Sequence, residues 1–147
     1  MTDRDSRLRV LRETSPLTSA RDGRRKPAAD KALTVRVQHE PGYVLIIVAG
    51  EIDIATVTRL EEELAALAAS AKPLVADLEE VRFIDASGLR ALGRAAGQAA
   101  AHGASFHVIC RQRHIVRLFG ITKLDRRILL AGTRAEALQA LAETGTI

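Results

Sequence analysis

Residues 74–92 read LVADLEEVRFIDASGLRAL. Two short apolar runs rich in β-formers, 74–78 and 81–84, lead into Asp85-Ala86-Ser87-Gly88, and an amphipathic helical pattern opens straight afterwards. A buried strand running into a helix through a polar corner puts one hydroxyl, Ser87, at a helix N-terminus. Unpaired backbone N–H groups and the positive end of the macrodipole gather there. A serine in that position can cap the helix, carry a phosphate or act as a nucleophile.

Upstream of this corner the pattern is strand-rich. Leu33, Val35 and Val37 alternate with polar residues, the period of a half-buried strand, and His39-Glu40-Pro41-Gly42 is a turn. Residues 43–49 are nearly all apolar and β-branched, as in a central strand buried on both faces. Together these make an N-terminal antiparallel hairpin. Gly50-Glu51-Ile52-Asp53 closes the second strand, and Asp53 is placed to cap a helix whose inner face is Ile54, Val57, Leu60, Leu64 and Leu67. Lys72-Pro73 ends that helix; residues 74–78 form the next strand and Glu79-Glu80 a loop.

Downstream, Leu89, Leu92, Ala95, Ala96 and Ala99 mark a second helix ending at His102-Gly103. Residues 106–109 read as a fourth strand. Ile115, Leu118 and Phe119 give a short helix stopped at Gly120, and residues 128–130 a fifth strand. Thr133 with Glu136 three residues on is a capping box for a last helix through Leu138 and Leu141. The expectation is an α/β fold: a mixed, mostly parallel sheet of about five strands with an N-terminal antiparallel hairpin and about four helices.

With 147 residues the chain suits one domain with a real core. Hydrophobic residues make up 47% but aromatics only 3%, so Ala, Leu, Val and Ile must build that core. Bases would find no aromatic platform to stack on, which argues against a nucleic-acid partner. The net charge of +4 belongs to residues 1–32, which hold nine basic and five acidic residues, whereas 33–147 hold thirteen of each. Residues 1–32 read as a disordered basic tail in which Arg24-Arg25-Lys26 is a small cluster, and 33–147 as the domain. A single cysteine, Cys110, excludes an internal disulfide and a cysteine-rich zinc site. Neither an apolar run of about 18 residues nor a signal-peptide core is present, so a cytoplasmic protein with no membrane partner is expected.

Phosphate loops of the GxxxxGK[ST] or GxGxxG type are absent, and Gly93 and Gly97 fall inside a helical pattern as close-packing positions. His39, His102, His107 and His114 share no spacing with carboxylates that would converge on a metal. No cofactor is expected. Nucleophilic use of Ser87 would need a base, which nothing in the sequence supplies, and Asp85 stands where a nucleophile elbow has its first glycine. Phosphate acceptance fits the corner better. Asp85 can cap the helix and leave Ser87 exposed, and Gly88 would let a partner approach closely. Arg90 and Arg94, three and seven residues on, can reach toward an added phosphate. From the residues alone, a capping serine and a phosphate carrier both stand.

Gly50-Glu51-Ile52-Asp53 before a helix resembles the G-E-L-D segment of STAS domains. Residues 78–89, LEEVRFIDASGL, resemble their L-x-x-V-x-F-I-D-S-S-G-L signature, and residues 120–125, GITKLD, are similar to a recurring G-L-D turn. The resemblance covers about residues 34–143. It implies an anti-sigma factor antagonist and no enzyme activity: the unphosphorylated form binds an anti-sigma factor and so releases a sigma factor. That partner is a serine kinase of the histidine-kinase-like ATPase fold, which inactivates the antagonist by phosphorylating Ser87; a PP2C-type phosphatase reverses the step. Asp53, Asp85, Gly88 and Arg90 are then partner-binding residues, on a monomer or weak dimer. The first serine of D-S-S-G is here Ala86, which leaves the acceptor position intact. The same resemblance admits a non-switching scaffold, as in a stressosome or lipid-transport complex.

Overall fold

The alternation that begins at Leu33 becomes β1 (Thr34–Glu40), and the β-branched run after the turn becomes β2 (Tyr43–Ile52). They pair antiparallel, Thr34 opposite Ala49 and Glu40 opposite Tyr43. After β2 the chain alternates: α1 (Val57–Ala68), β3 (Leu74–Ile84), α2 (Ala86–Ala101), β4 (Phe106–Ile109) and α3 (Arg113–Ile121). A 3₁₀ turn (Leu124–Arg126), β5 (Leu129–Ala131) and α4 (Arg134–Glu143) follow. This computed structural model describes residues 32–143. The basic tail read over 1–32, with its Arg24-Arg25-Lys26 cluster, lies outside the described residues except for Ala32.

The sheet order is β1-β2-β3-β4-β5, with every pair after the first parallel. Strand periodicity sorts the apolar residues onto two faces. Val44, Ile46 and Val48 meet α1, α2 and α3 in the large core, through Leu60, Leu64, Leu92, Ile115 and Phe119. Leu45, Val75 and Ile109 point the other way and are covered by Ala137 and Leu141 of α4. Burying each such Leu or Ile contributes about 1.5–3 kcal/mol, so the three-helix face carries most of the stability. Among the described residues no helix is long and apolar enough to cross a membrane.

The fold departs from the sequence reading at four places. Glu79-Glu80 is not a loop: β3 runs unbroken from Leu74 to Ile84. Its register against β2 slips twice, from Ile47↔Asp77 to Ala49↔Glu80 and from Gly50↔Val81 to Glu51↔Phe83. Each slip places one extra residue in β3, a bulge. Leu78, Val81 and Ile84 can therefore all face the core at a spacing of three. Secondly, α1 starts at Val57 after a turn at 53–56, so Ile54 is not on its buried face but 79% exposed. Thirdly, α3 passes through Gly120 to Ile121, and the left-handed residue after it is Lys123, at φ 62°. Lastly, β5 begins at Leu129, and Ile128 is a core residue just before it.

Candidate functional site

The C-terminal ends of β2 and β3 lie side by side, and the two loops leaving them form one rim. The Asp85 amide donates to the Ile52 carbonyl at 3.1 Å, which fixes the second loop against the first. Asp85 is extended, at φ −109° and ψ −172°, and is the N-cap of α2. Its Oδ1 accepts from the Ser87 amide at 2.9 Å and the Gly88 amide at 3.2 Å, two of the donors a helix start leaves unpaired. The Ser87 hydroxyl donates to the same Oδ1 at 2.6 Å. That bond holds the Asp85 carboxyl below the usual carboxylate range, helped by the backbone amides of Gly88, Ser87 and Ile54.

Ser87 is thus half-exposed and tethered, where the sequence suggested a hydroxyl left free by its neighbour's capping. The bond to Asp85 orients Oγ but makes the carboxylate a poor proton acceptor, because a lowered pKa means a weaker base. Among the described residues the side-chain partner of the Ser87 hydroxyl is Asp85.

Asp53 organises the neighbouring loop. Its Oδ1 accepts from the Ala55 amide at 3.0 Å and the Thr56 amide at 3.1 Å, while the Thr56 hydroxyl donates to the Glu51 carbonyl at 2.9 Å. It therefore caps the turn that precedes α1, one turn earlier than a helix N-cap. Asp53 and Asp85 are brought to one rim, and Arg90 stands exposed on α2 beside it. Arg94 does not face the serine freely: Nη1 is paired with Glu61 of α1 at 3.1 Å.

Gly88 corrects an expectation. It is buried, and a Cβ there would lie 2.6 Å from Ile52 Cγ2 and 2.6 Å from Ile84 Cγ1. The missing side chain serves close packing of α2 on the ends of β2 and β3, not the approach of a partner. Gly50, at φ 104°, faces a similar constraint, because a Cβ would collide with the Ala32 carbonyl.

Three features of the rim escaped sequence reasoning. Ile54 and Phe83 are exposed large hydrophobics, at 79% and 45%, and both flank the Asp85 corner. The third is Gln112, just before α3, whose Nε2 donates to the carbonyls of Leu78 at 2.7 Å and Val81 at 2.8 Å. Those are backbone acceptors at the bulges of β3, so Gln112 stitches the half of the strand that leads to Ser87. Among the described residues no group of three or more His, Cys, Asp or Glu is placed to hold a metal.

A mixed five-stranded sheet bearing a serine at the mouth of the helix after its middle strand defines a small α/β module that presents the Ser87 hydroxyl at its rim. The chain belongs to the STAS domain family: the family model matches residues 34–137. The anti-sigma-F factor antagonist RsfB of Mycobacterium tuberculosis is 30% identical over 112 residues, which span 76% of this chain and 91% of that one. An anti-sigma factor antagonist from Mycobacterium paratuberculosis superposes with a TM-score of 0.70 at 31% identity, covering 76% of this chain and 96% of its own. The Bacillus cell fate determinant SpoIIAA, solved in its phosphorylated form, shares the fold at a TM-score of 0.59 and 16% identity, over 74% of this chain and 99% of that one.

Proposed function

We propose that this chain is an anti-sigma factor antagonist of the cytoplasm, switched by phosphorylation of Ser87. Unphosphorylated, it binds an anti-sigma factor and frees a sigma factor. The anti-sigma factor is a serine kinase of the histidine-kinase-like ATPase fold, and a PP2C-type phosphatase restores the hydroxyl. The observation that carries this reading is the half-exposed Ser87 Oγ, oriented by Asp85 at the mouth of α2. It gains support from the 30% identity to an anti-sigma-F factor antagonist.

In the transfer step Ser87 Oγ attacks the γ-phosphorus of ATP. An O–P bond forms, the bond to the β,γ-bridging oxygen breaks, and ADP leaves. Asp85 holds the hydroxyl in line but is too weak a base to keep its proton, so the proton passes to a base of the kinase. The product carries about −1.5 to −2 charges where Ser87 donated a hydrogen bond. Asp53, Asp85 and Arg90 contact the partner, with Ile54 and Phe83 as apolar anchors. A dianion set among those contacts disfavours docking unless the partner supplies a cation.

Incubation with the cognate kinase and ATP should label the wild type on Ser87 and leave Ser87→Ala unlabelled while it still binds the kinase. Equal labelling of both proteins would overturn the assignment. An unlabelled wild type that elutes in a megadalton assembly would instead support the scaffold reading.

A further inference from the structure

A cleft of about 420 Å³ opens between α2 and the turn at 122–127. Its α2 wall is formed by Ala86, Leu89, Arg90, Gly93 and Arg94, and its other wall by Thr122, Leu124 and Arg127. The floor is apolar and the edge carries three guanidinium groups. Two of these are held in place. Arg127 Nη2 donates to the Gly93 carbonyl at 2.6 Å, and Arg94 pairs with Glu61 at 3.1 Å. Gly93 keeps the walls together, since a Cβ there would lie 2.9 Å from Leu124 Cδ2. Arg90 has no carboxylate partner among the described residues. Glu61 is already paired with Arg94, and Asp125 turns toward Gly120, outside the cleft.

We infer that this cleft docks an acidic segment of a protein partner, one apolar side chain seated on Leu89, Gly93 and Leu124 and flanking carboxylates facing Arg90 and Arg127. Charge complementarity selects the occupant: an excess of cations around an apolar floor fits an apolar residue between acids. Guanidinium forks are suited to carboxylates in two-point contacts. Position selects a protein over a free anion. Leu89, Arg90, Gly93 and Arg94 follow Ala86 at three, four, seven and eight residues, so the cleft continues the face of α2 that begins beside Ser87. At 1.5 Å per residue, Arg94 lies only about 10 Å along the helix from the serine. A partner covering Ser87 reaches the cleft without a second docking event. The identity of the protein that carries the segment rests on the proposed function; the site itself does not.

The test is chemical-shift mapping on the ¹⁵N-labelled full chain with three probes: the peptide acetyl-GDLLEG-amide, its neutral counterpart acetyl-GNLLQG-amide, and inorganic phosphate. The acidic peptide should give saturable shifts in α2 from Leu89 to Arg94 and in the turn at 122–127. Affinity should fall about tenfold in Arg90→Glu, a surface variant whose fold the same spectra verify. Ser87→Ala should bind the peptide as the wild type does, so failure of the kinase to label Ser87 would sink the switch and leave the cleft standing. The absence of saturable shifts up to about 5 mM would overturn the inference. So would equal binding of the neutral peptide, an unchanged affinity in Arg90→Glu, or phosphate alone reproducing the shifts.

Discussion

Asp85→Ala removes one oxygen that accepts three hydrogen bonds, from the Ser87 and Gly88 amides and from the Ser87 hydroxyl. Loss of an N-cap costs about 0.5–2 kcal/mol, and loss of a carboxylate from the positive end of a helix about 0.3–1 kcal/mol. The sum is about 0.8–3 kcal/mol, which for a domain of this size lowers Tm by about 3–12 °C. Asp85→Asn keeps the acceptor and removes only the charge, so it should cost about 0.3–1 kcal/mol. The two terms separate with pH. The Asp85 carboxyl sits below its ordinary value of 3.8, chiefly through the Ser87 hydroxyl and then the backbone amides. A depressed carboxylate stabilises the fold above the unfolded pKa, and that stabilisation is lost as pH falls through the folded pKa. The gap between wild type and Asp85→Asn should therefore be full at neutral pH and shrink below about pH 4. Urea unfolding followed by circular dichroism measures all three proteins. If Asn costs as much as Ala, or if Asp85→Ala unfolds with the wild type, the cap does not hold the corner.

Other consequences are equally direct. Gly88→Ala gains helix propensity but pushes a methyl into Ile52 and Ile84, and the clash should win by about 1–3 kcal/mol in urea unfolding; a variant as stable as wild type would refute the packing role. Gln112→Leu strips the donor from the Leu78 and Val81 carbonyls and should cost about 2–3 kcal/mol, and a loss under about 0.5 kcal/mol would mean the bulges stand without it. His107 is fully buried, with Nε2 2.9 Å from Ser105 Oγ and Nδ1 unpartnered among the described residues. Burial holds its pKa below the ordinary 6.5, so the unfolded chain binds the extra proton and stability should fall as pH drops through and below that value. His107→Leu should flatten that slope in unfolding measured from about pH 7 to pH 5, and an unchanged slope would assign it to other groups.

The sheet and its hairpin were legible because strand alternation and β-branching follow directly from one buried face per pleat. The Asp85 cap was legible too, since carboxylates two and three residues before free amides have few other uses. What stayed hidden was set by distant parts of the chain. Glu79-Glu80 looks like a loop because two consecutive charges break the strand period, yet a bulge tolerates them once Gln112 satisfies the carbonyls it displaces. No local signal in the strand announces a glutamine more than thirty residues away. Ile54 fits the helical spacing of α1, but the Asp53 turn delays the helix by three residues and swings that side chain into solvent. Gly88 looked like an opening for a partner because glycine at a surface corner suggests access. The direction its Cβ would take depends on how α2 lands on Ile52 and Ile84, which only the assembled core decides.

These hidden features change how a phosphate would act at Ser87. The sequence suggested a free hydroxyl beside a capping carboxylate that would repel a phosphate, with a small net effect on the fold. In the folded corner the hydroxyl is one of three donors on a single oxygen, so modification also removes a donor from Asp85. The helix N-terminus favours the new anion by about 0.3–1 kcal/mol. Each unit charge of the phosphate facing Asp85 at about 4 Å opposes it by about 1–4 kcal/mol, between the dielectric of water and that of a protein surface. Repulsion exceeds the dipole, so a phosphate on Ser87 favours a conformation turned away from the Asp85 carboxylate. Turning outward brings it toward the rim that carries Ile54, Phe83 and Asp53. Under the proposed function, phosphorylation then does more than place a charge at an interface: it also removes one of the three donors to the Asp85 oxygen that caps α2 at that interface.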